Sequence, residues 1–194
     1  MNTIKRIVLT GGPCAGKTTA LVKVIEHFTS LGYKVFTIPE VPTMFTQAGM
    51  NYLTSNKAFF FEGEKATLQT QLHLEDCFYK MAQTLEQPVL IVCDRGVMDI
   101  SAYLTSEDWQ KIIGEVGCTQ TQLRDERYDA VLHLVLPQME RSSFILQPIT
   151  PRDSNRQTRR DFKSHVSWIR RSLRLGQVIL TCVSSTTMRT STTS

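Results

Sequence analysis

The stretch Gly11-Gly12-Pro13-Cys14-Ala15-Gly16-Lys17-Thr18 fits the pattern G-x-x-x-x-G-K-[ST], and its residue types suit one task, the holding of a polyphosphate. Glycines at 11 and 16 permit backbone angles and close approaches that a Cβ would obstruct, so that successive N–H groups converge on phosphate oxygens. Lys17 brings a mobile positive charge to the β- and γ-phosphates, and the Thr18 hydroxyl is offered to Mg2+. Thr19 continues the loop into a helix whose N-terminal partial charge adds to the anion field. The expected occupant is ATP or GTP with Mg2+. The Cys14 thiol is given no role, although the residue stands in the loop.

Three residues elsewhere complete the chemistry. Asp94 closes an apolar run at 89–93, where a carboxylate that orients magnesium, directly or through water, is expected; capping a helix that begins near Val97 is the alternative. Arg95 touches substrate or phosphate, or pairs with Asp99. Glu40, at the end of a second strand pattern, is a candidate acceptor for a substrate hydroxyl or a magnesium-bound water, against an exposed loop carboxylate. Lys17, Asp94 and Glu40 thus form the candidate catalytic set, Thr18 and Asp94 the metal set, and residues 11–19 with Arg95 the nucleotide set. His133 lies in an apolar strand pattern and reads as a core residue. The guanine-reading Asn-Lys-x-Asp is missing, since Asn56-Lys57-Ala58-Phe59 lacks the aspartate and follows no strand. Base preference stays open.

Elements that could position these residues are visible in the patterning. A β-branched run at 4–10 leads into the loop, and a helix is expected at 18–31 with Leu21, Ile25 and Phe28 on one face. Gly32 stops it, and residues 33–38 read as a second strand. Leu68, Leu72 and Met81 fall at helical spacing in a long stretch at about 62–85. The continuous apolar run at 89–93, bounded by Pro88 and Asp94, is the pattern of a parallel strand covered on both faces. A charged helix-and-turn segment at 107–129 precedes another strand at 130–135. Alternation of this kind predicts a three-layer α/β fold, with the ligand at the carboxyl ends of a parallel sheet.

The chain of 194 residues suits one domain and a tail. No apolar run is long enough to span a membrane, and nothing in the first residues resembles a secretory leader. The expected setting is cytoplasmic. Five scattered cysteines without C-x-x-C spacing indicate neither a disulfide framework nor a zinc site. Charge divides the chain: residues 1–135 hold 12 Lys+Arg against 15 Asp+Glu, while residues 136–194 hold 10 against 3 and carry 18 Ser+Thr. Such a composition predicts a disordered tail.

Residues 9–19 together with Pro39-Glu40-Val41-Pro42-Thr43, Cys93-Asp94-Arg95-Gly96-Val97-Met98-Asp99 and the run Arg127-Tyr128-Asp129-Ala130-Val131-Leu132-His133-Leu134-Val135 resemble the NadR-type family of P-loop NTPases with an AAA-like domain. That family includes the kinase domain of bacterial nicotinamide riboside kinase and relatives similar to the TRPL translocation defect protein. The resemblance implies a nucleoside-kinase-like P-loop fold and Mg-ATP or Mg-GTP binding. It also implies slow hydrolysis and a membrane-trafficking or phosphoinositide link, or transfer of phosphate to a nicotinamide riboside-like acceptor.

After Val135 the resemblance stops. Starting each codon at the third base of the existing ones, residues 136–146 back-translate to a stretch containing Gly-Ala-Glu-Gln-Phe-Tyr-Thr, and residues 176–191 to one containing Gly-His-Pro and Asp-Asn, segments that such relatives carry. Residues 136–194 are therefore expected to be a frameshifted translation or a disordered appendage, leaving the sheet incomplete at its C-terminal end; the encoding DNA decides. A rival reading places Phe162, Val166, Trp168 and Leu173 among Arg159, Arg160, Lys163, Arg170 and Arg171 on a basic amphipathic helix that meets an anionic membrane. No specific nucleic acid is expected, because no RNA-binding module accompanies the basic stretch.

Overall fold

A computed structural model describes residues 3–134 and a strand at 178–182. The first strand, β1 (Ile4–Gly11), runs through the middle of a sheet of order β2-β3-β1-β4-β5, with β2 at Lys34–Ile38, β3 at Val89–Asp94, β4 at Ala130–Leu134 and β5 at Val178–Cys182. Strands β1 to β4 are mutually parallel, and β1 pairs in register with β3 (Leu9 opposite Asp94) and with β4 (Gly11 opposite Leu134). That register brings the ends of β1 and β3 to one edge, where the phosphate loop and Asp94 meet. The fifth strand pairs antiparallel with β4 and falls in the segment whose composition shows no strand pattern. The basic stretch of the tail lies outside the described residues.

Side chains alternate across the sheet, and both faces are covered. Ile7 and Leu9 of β1, Leu90 and Val92 of β3 and Leu132 of β4 pack against Ala20, Val24 and Phe28 of α1 (Lys17–Ser30). Val8, Ile91 and Cys93 point the other way, into a second core with Leu68 of α3 (Lys57–Gln83) and Trp109 and Ile112 of α4 (Ser106–Val116). The result is the three-layer α/β fold that the patterning predicts. In α1 the fully buried row is Ala20, Val24 and Phe28, with Leu21 packed at its margin. This row differs from the expected Leu21, Ile25 and Phe28 by a small rotation about the helix axis.

Helix α3 departs further from expectation. It caps on Asn56, whose side chain accepts from the Phe59 N–H at 3.1 Å, and starts five residues before the expected stretch. Met81, expected on its inner face, is 47% exposed. The buried row instead includes Glu64, Thr67, Gln71 and Glu75, polar residues three to four apart. A short helix α2 (Val41–Gln47) with proline in its first turn follows β2 and was not evident from periodicity. His133 corrects a second expectation: its side chain is exposed, because the alternation along β4 turns Leu132 and Leu134 inward. Among the described residues no helix is long and apolar enough to cross a membrane.

Candidate functional site

The loop between β1 and α1 is shaped by its glycines. Gly11 has φ +143°, and a Cβ there would lie 2.3 Å from the Leu134 carbonyl oxygen, so the end of β1 reaches β4 only without a side chain. Gly16 at φ +83° turns the chain into α1, and Cys14 adopts the left-handed region at φ +58°. Ala20 donates to the Gly16 carbonyl at 2.9 Å, the first bond of the helix. The N–H groups of Lys17, Thr18 and Thr19 precede that bond and face outward from the helix start, where an anion is favoured. The Lys17 ammonium donates to the carbonyls of Gly11 and Gly12, both at 3.1 Å, and so lies over the loop.

Asp94 ends β3 beside this loop. Its Oδ1 is buried with no hydrogen-bond partner among the described residues. Burial, foremost, and the nearby Glu40 carboxylate push the Asp94 carboxyl above the usual aspartate range, while Lys17 and Arg95 oppose them. An orphaned carboxylate oxygen, with the Thr18 hydroxyl exposed at the helix start, fits a hard cation such as Mg2+, which takes oxygen ligands and keeps several waters. The alternative cap role is not what the geometry shows. The 3-10 helix Val97–Tyr103 is capped by Asp99, whose Oδ2 accepts from the Gly96 N–H at 2.8 Å and whose Oδ1 accepts from the Thr10 hydroxyl.

Arg95 stands between loop and cavity. Its backbone sits at φ +70° and its N–H donates to the Leu9 carbonyl at 2.9 Å, fixing the turn to β1. The guanidinium donates through Nε to Glu40 and through Nη1 to the Gly11 carbonyl at 3.4 Å, with Asp99 3.9 Å away. The expected pairing with Asp99 is a long contact, and the main partner is Glu40, which the sequence pattern did not pair with Arg95. Glu40 is half-buried rather than exposed. Burial works against its ionisation, yet the hydrogen bond from Thr43, the Arg95 guanidinium and the Lys17 charge together hold its carboxyl below the usual glutamate range. It is a carboxylate at neutral pH.

A cavity of about 390 Å3 opens beside this pair, on the scale of a small-molecule site. Glu40 and Arg95 form one wall, α3 contributes Phe60, Glu64, Thr67 and Gln71, and Tyr52, Ile100 and Tyr103 add apolar and aromatic surface. Glu64 is 4% exposed, and burial pushes its carboxyl up to about 7. Motif reading missed Glu64, Thr67, Gln71 and Tyr52. The signal was the i, i+3, i+7 spacing of polar residues on a long helix, which an apolar periodicity count passes over.

Behind the cavity the turn carrying Arg95 is braced by a buried ion cluster. Glu75, fully buried, accepts from Arg6 at 3.1 Å, Gln71 at 2.8 Å, the Tyr128 hydroxyl at 2.7 Å and Arg127 Nε. Gln71 also donates to the Arg95 carbonyl at 3.4 Å, and Tyr128 accepts from the Val97 N–H at 3.0 Å. A Cβ at Gly96 would come within 2.9 Å of a Val8 methyl, so the turn lies flat on β1.

A parallel sheet with this loop at the end of its central strand, Lys17 closing over it and a carboxylate at the end of the neighbouring strand, define a P-loop nucleotide-binding domain. The model of the AAA domain family matches residues 6–175, and the chain belongs to that family. The match covers β1 to β4 and continues past Val135. No curated protein matches the chain significantly. Among solved structures, the crystal structure of APE1195 aligns at 15% identity with a TM-score of 0.33, over 69% of this chain and 60% of that one. A mutant of the Mycobacterium tuberculosis APS kinase CysC aligns at 14% identity with a TM-score of 0.31, over 69% and 75%. The chain thus spans about 60% of the length of APE1195.

Proposed function

We propose that the domain binds Mg-ATP or Mg-GTP at residues 11–19 and transfers the γ-phosphoryl group to a hydroxyl of a nucleoside-like small molecule held in the adjoining cavity. The observation that carries this is Arg95: one guanidinium reaches both the Gly11 carbonyl of the phosphate loop and the Glu40 carboxylate of the cavity wall. A shared side chain sets donor site and cavity side by side, and transfer between two ligands needs such proximity.

In this reading the Lys17 ammonium leaves the loop carbonyls to pair with the β- and γ-phosphates. Thr18 and Asp94 would hold the metal, which when bound neutralises charge on the phosphates. Glu40 accepts the acceptor hydroxyl's hydrogen bond and orients its oxygen. That oxygen bonds the γ-phosphorus as the bond to the β–γ bridging oxygen breaks, the hydroxyl proton leaves toward the carboxylate, and the diphosphate departs. Arg95 spans the developing charge.

The rival class is a nucleotide-binding protein with slow hydrolysis, located in the cytoplasm at a membrane surface and linked to phosphoinositides. Its membrane element is the basic stretch outside the described residues, so the cavity favours the kinase. Single-turnover assays with labelled ATP and GTP, with and without nucleosides including nicotinamide riboside, separate the two. Label on the nucleoside supports the transferase; phosphate release at the same rate without acceptor replaces it with an NTPase.

A further inference from the structure

The polar atoms of the cavity can be sorted into donors and acceptors, and the sorting is one-sided along α3. The Thr67 hydroxyl donates to the Gly63 carbonyl at 2.8 Å, which spends its single proton. The 2.8 Å contact between the Tyr52 and Thr67 oxygens is therefore a donation from Tyr52, leaving the Tyr52 oxygen an acceptor. The Gln71 amide nitrogen donates to Glu75 at 2.8 Å and to the Arg95 carbonyl at 3.4 Å, which turns its carbonyl oxygen to the remaining space. Glu64 is 96% buried by the 4% that it exposes, lines the cavity, and has no hydrogen bond among the described residues. Its oxygens are not among the fully buried side-chain atoms that lack a partner, so they open on the cavity, where a donor from a ligand can meet them.

Glu64 also has a position. It lies seven residues from Gln71 on one face of α3, about 10 Å along the axis, and Gln71 touches the carbonyl of Arg95. A ligand with its reacting hydroxyl at the Arg95–Glu40 end reaches Glu64 only if it is as long as a nucleoside; a free pentose is too short. Resting on the transferase reading above, we infer that Glu64 is a specificity-determining residue, which accepts a hydrogen bond from an exocyclic amino group at the far edge of a nucleoside acceptor. A keto oxygen at that edge would oppose acceptors with an acceptor. The carboxylates of Glu40, Glu64 and Asp99 against the one guanidinium of Arg95 likewise disfavour a nucleotide monophosphate as the acceptor.

Two pairs of nucleosides of matched size test this: cytidine against uridine, and adenosine against inosine. Binding to the full chain is measured by calorimetry at pH 8, alongside transfer of label from ATP and GTP. The expected result is that in the pair that binds, the amino member binds at least tenfold tighter, and that Glu64→Gln, whose amide both donates and accepts, narrows the ratio to within threefold. Equal or tighter binding of the keto member, survival of the preference in Glu64→Gln, or no binding of any of the four overturns the assignment. The wild-type pairs need no variant, so misfolding cannot mask the answer. A Glu64-dependent preference without transfer sinks the transferase reading and leaves this one standing; transfer without the preference does the reverse.

Discussion

The Arg95 guanidinium donates to the Glu40 carboxylate across 55 positions of sequence, joining the end of β2 to the turn after β3 beside the phosphate loop. The pair holds Glu40 ionised although it is half-buried, and it does so from a backbone conformation that side chains avoid. Two substitutions separate these features. Arg95→Ala and Arg95→Gly both remove the guanidinium, and both are expected to lower phosphoryl transfer by about 100-fold or more, as loss of a positioned charge does. Only glycine relieves the left-handed strain, so Arg95→Gly is expected to unfold about 1 kcal/mol higher than Arg95→Ala. Equal denaturation midpoints would show that φ +70° carries no cost here.

Lys17 makes its two bonds to the carbonyls of Gly11, the last residue of β1, and Gly12 in the loop, and pairs with no buried side chain among the described residues. Lys17→Ala is expected to leave the melting temperature within about 2 °C and to weaken a fluorescent triphosphate analogue by about 100-fold or more, the scale of losing charge-assisted bonds to phosphate. Unchanged affinity in a titration would remove the loop from nucleotide binding.

Much of this was legible in the sequence, for reasons that differ by residue. The loop declares itself because polyphosphate binding needs glycine at 11 and 16 and an ammonium at 17, a demand local in sequence. Strand β3 is legible because a parallel strand covered on both faces is apolar at every position, as at 89–93, and β1 because its β-branched run leads straight into the glycines despite Lys5 and Arg6. Asp94 follows from its place after such a strand. The cavity was not legible: its buried residues Glu64, Thr67 and Gln71 are polar and take meaning only from Tyr52 and Arg95, which the fold brings from elsewhere. His133 misled because its neighbours are apolar, while the alternation along β4 turns it outward. Asp99, read from sequence only as a partner for Arg95, turned out to cap Gly96 and hold Thr10.

Two adjacent glycines of the loop are expected to differ sharply. A Cβ on Gly11 meets the Leu134 carbonyl oxygen at 2.3 Å, whereas a Cβ on Gly12 meets nothing within 4 Å. Gly11→Ala must push β1 from β4 and is expected to cost about 2 kcal/mol or more, while Gly12→Ala is expected to fall within about 0.5 kcal/mol of the parent. Urea titrations check both; a stable Gly11→Ala would mean that β4 yields.

Glu75 pairs with two guanidiniums, Arg6 and Arg127, on the sheet face beneath α3, with Asp76 supplying a second negative charge at the more exposed side. Glu75→Ala leaves both without their buried partner, and breaking such a cluster costs about 3–5 kcal/mol, a large part of a domain's total stability of roughly 5–15 kcal/mol. The variant is expected to unfold at a markedly lower urea concentration. Because Gln71 and Tyr128 carry the brace from Glu75 to Arg95 and Val97, amide exchange in the turn at 95–97 is expected to rise before that of β1. Uniform exchange would show that the cluster stabilises the sheet without positioning the turn.

Glu64 gives the fold a dependence on pH with a definite sign. Burial raises its carboxyl from 4.5 in the unfolded chain to about 7 in the folded one, so folding favours the protonated form. Its contribution is therefore complete below pH 4.5 and is lost as pH rises through 7, where the folded protein must ionise a buried group with no bonded partner. Glu64→Gln is neutral throughout. Relative to the parent it is expected to be of similar stability at pH 5 and more stable at pH 8, the gap opening as pH rises through about 7. Denaturant midpoints of the two proteins across that interval measure the difference directly. Curves that stay parallel from pH 5 to 8 would mean that water reaches the Glu64 carboxylate and that the cavity is wetter at that end than its apolar walls imply.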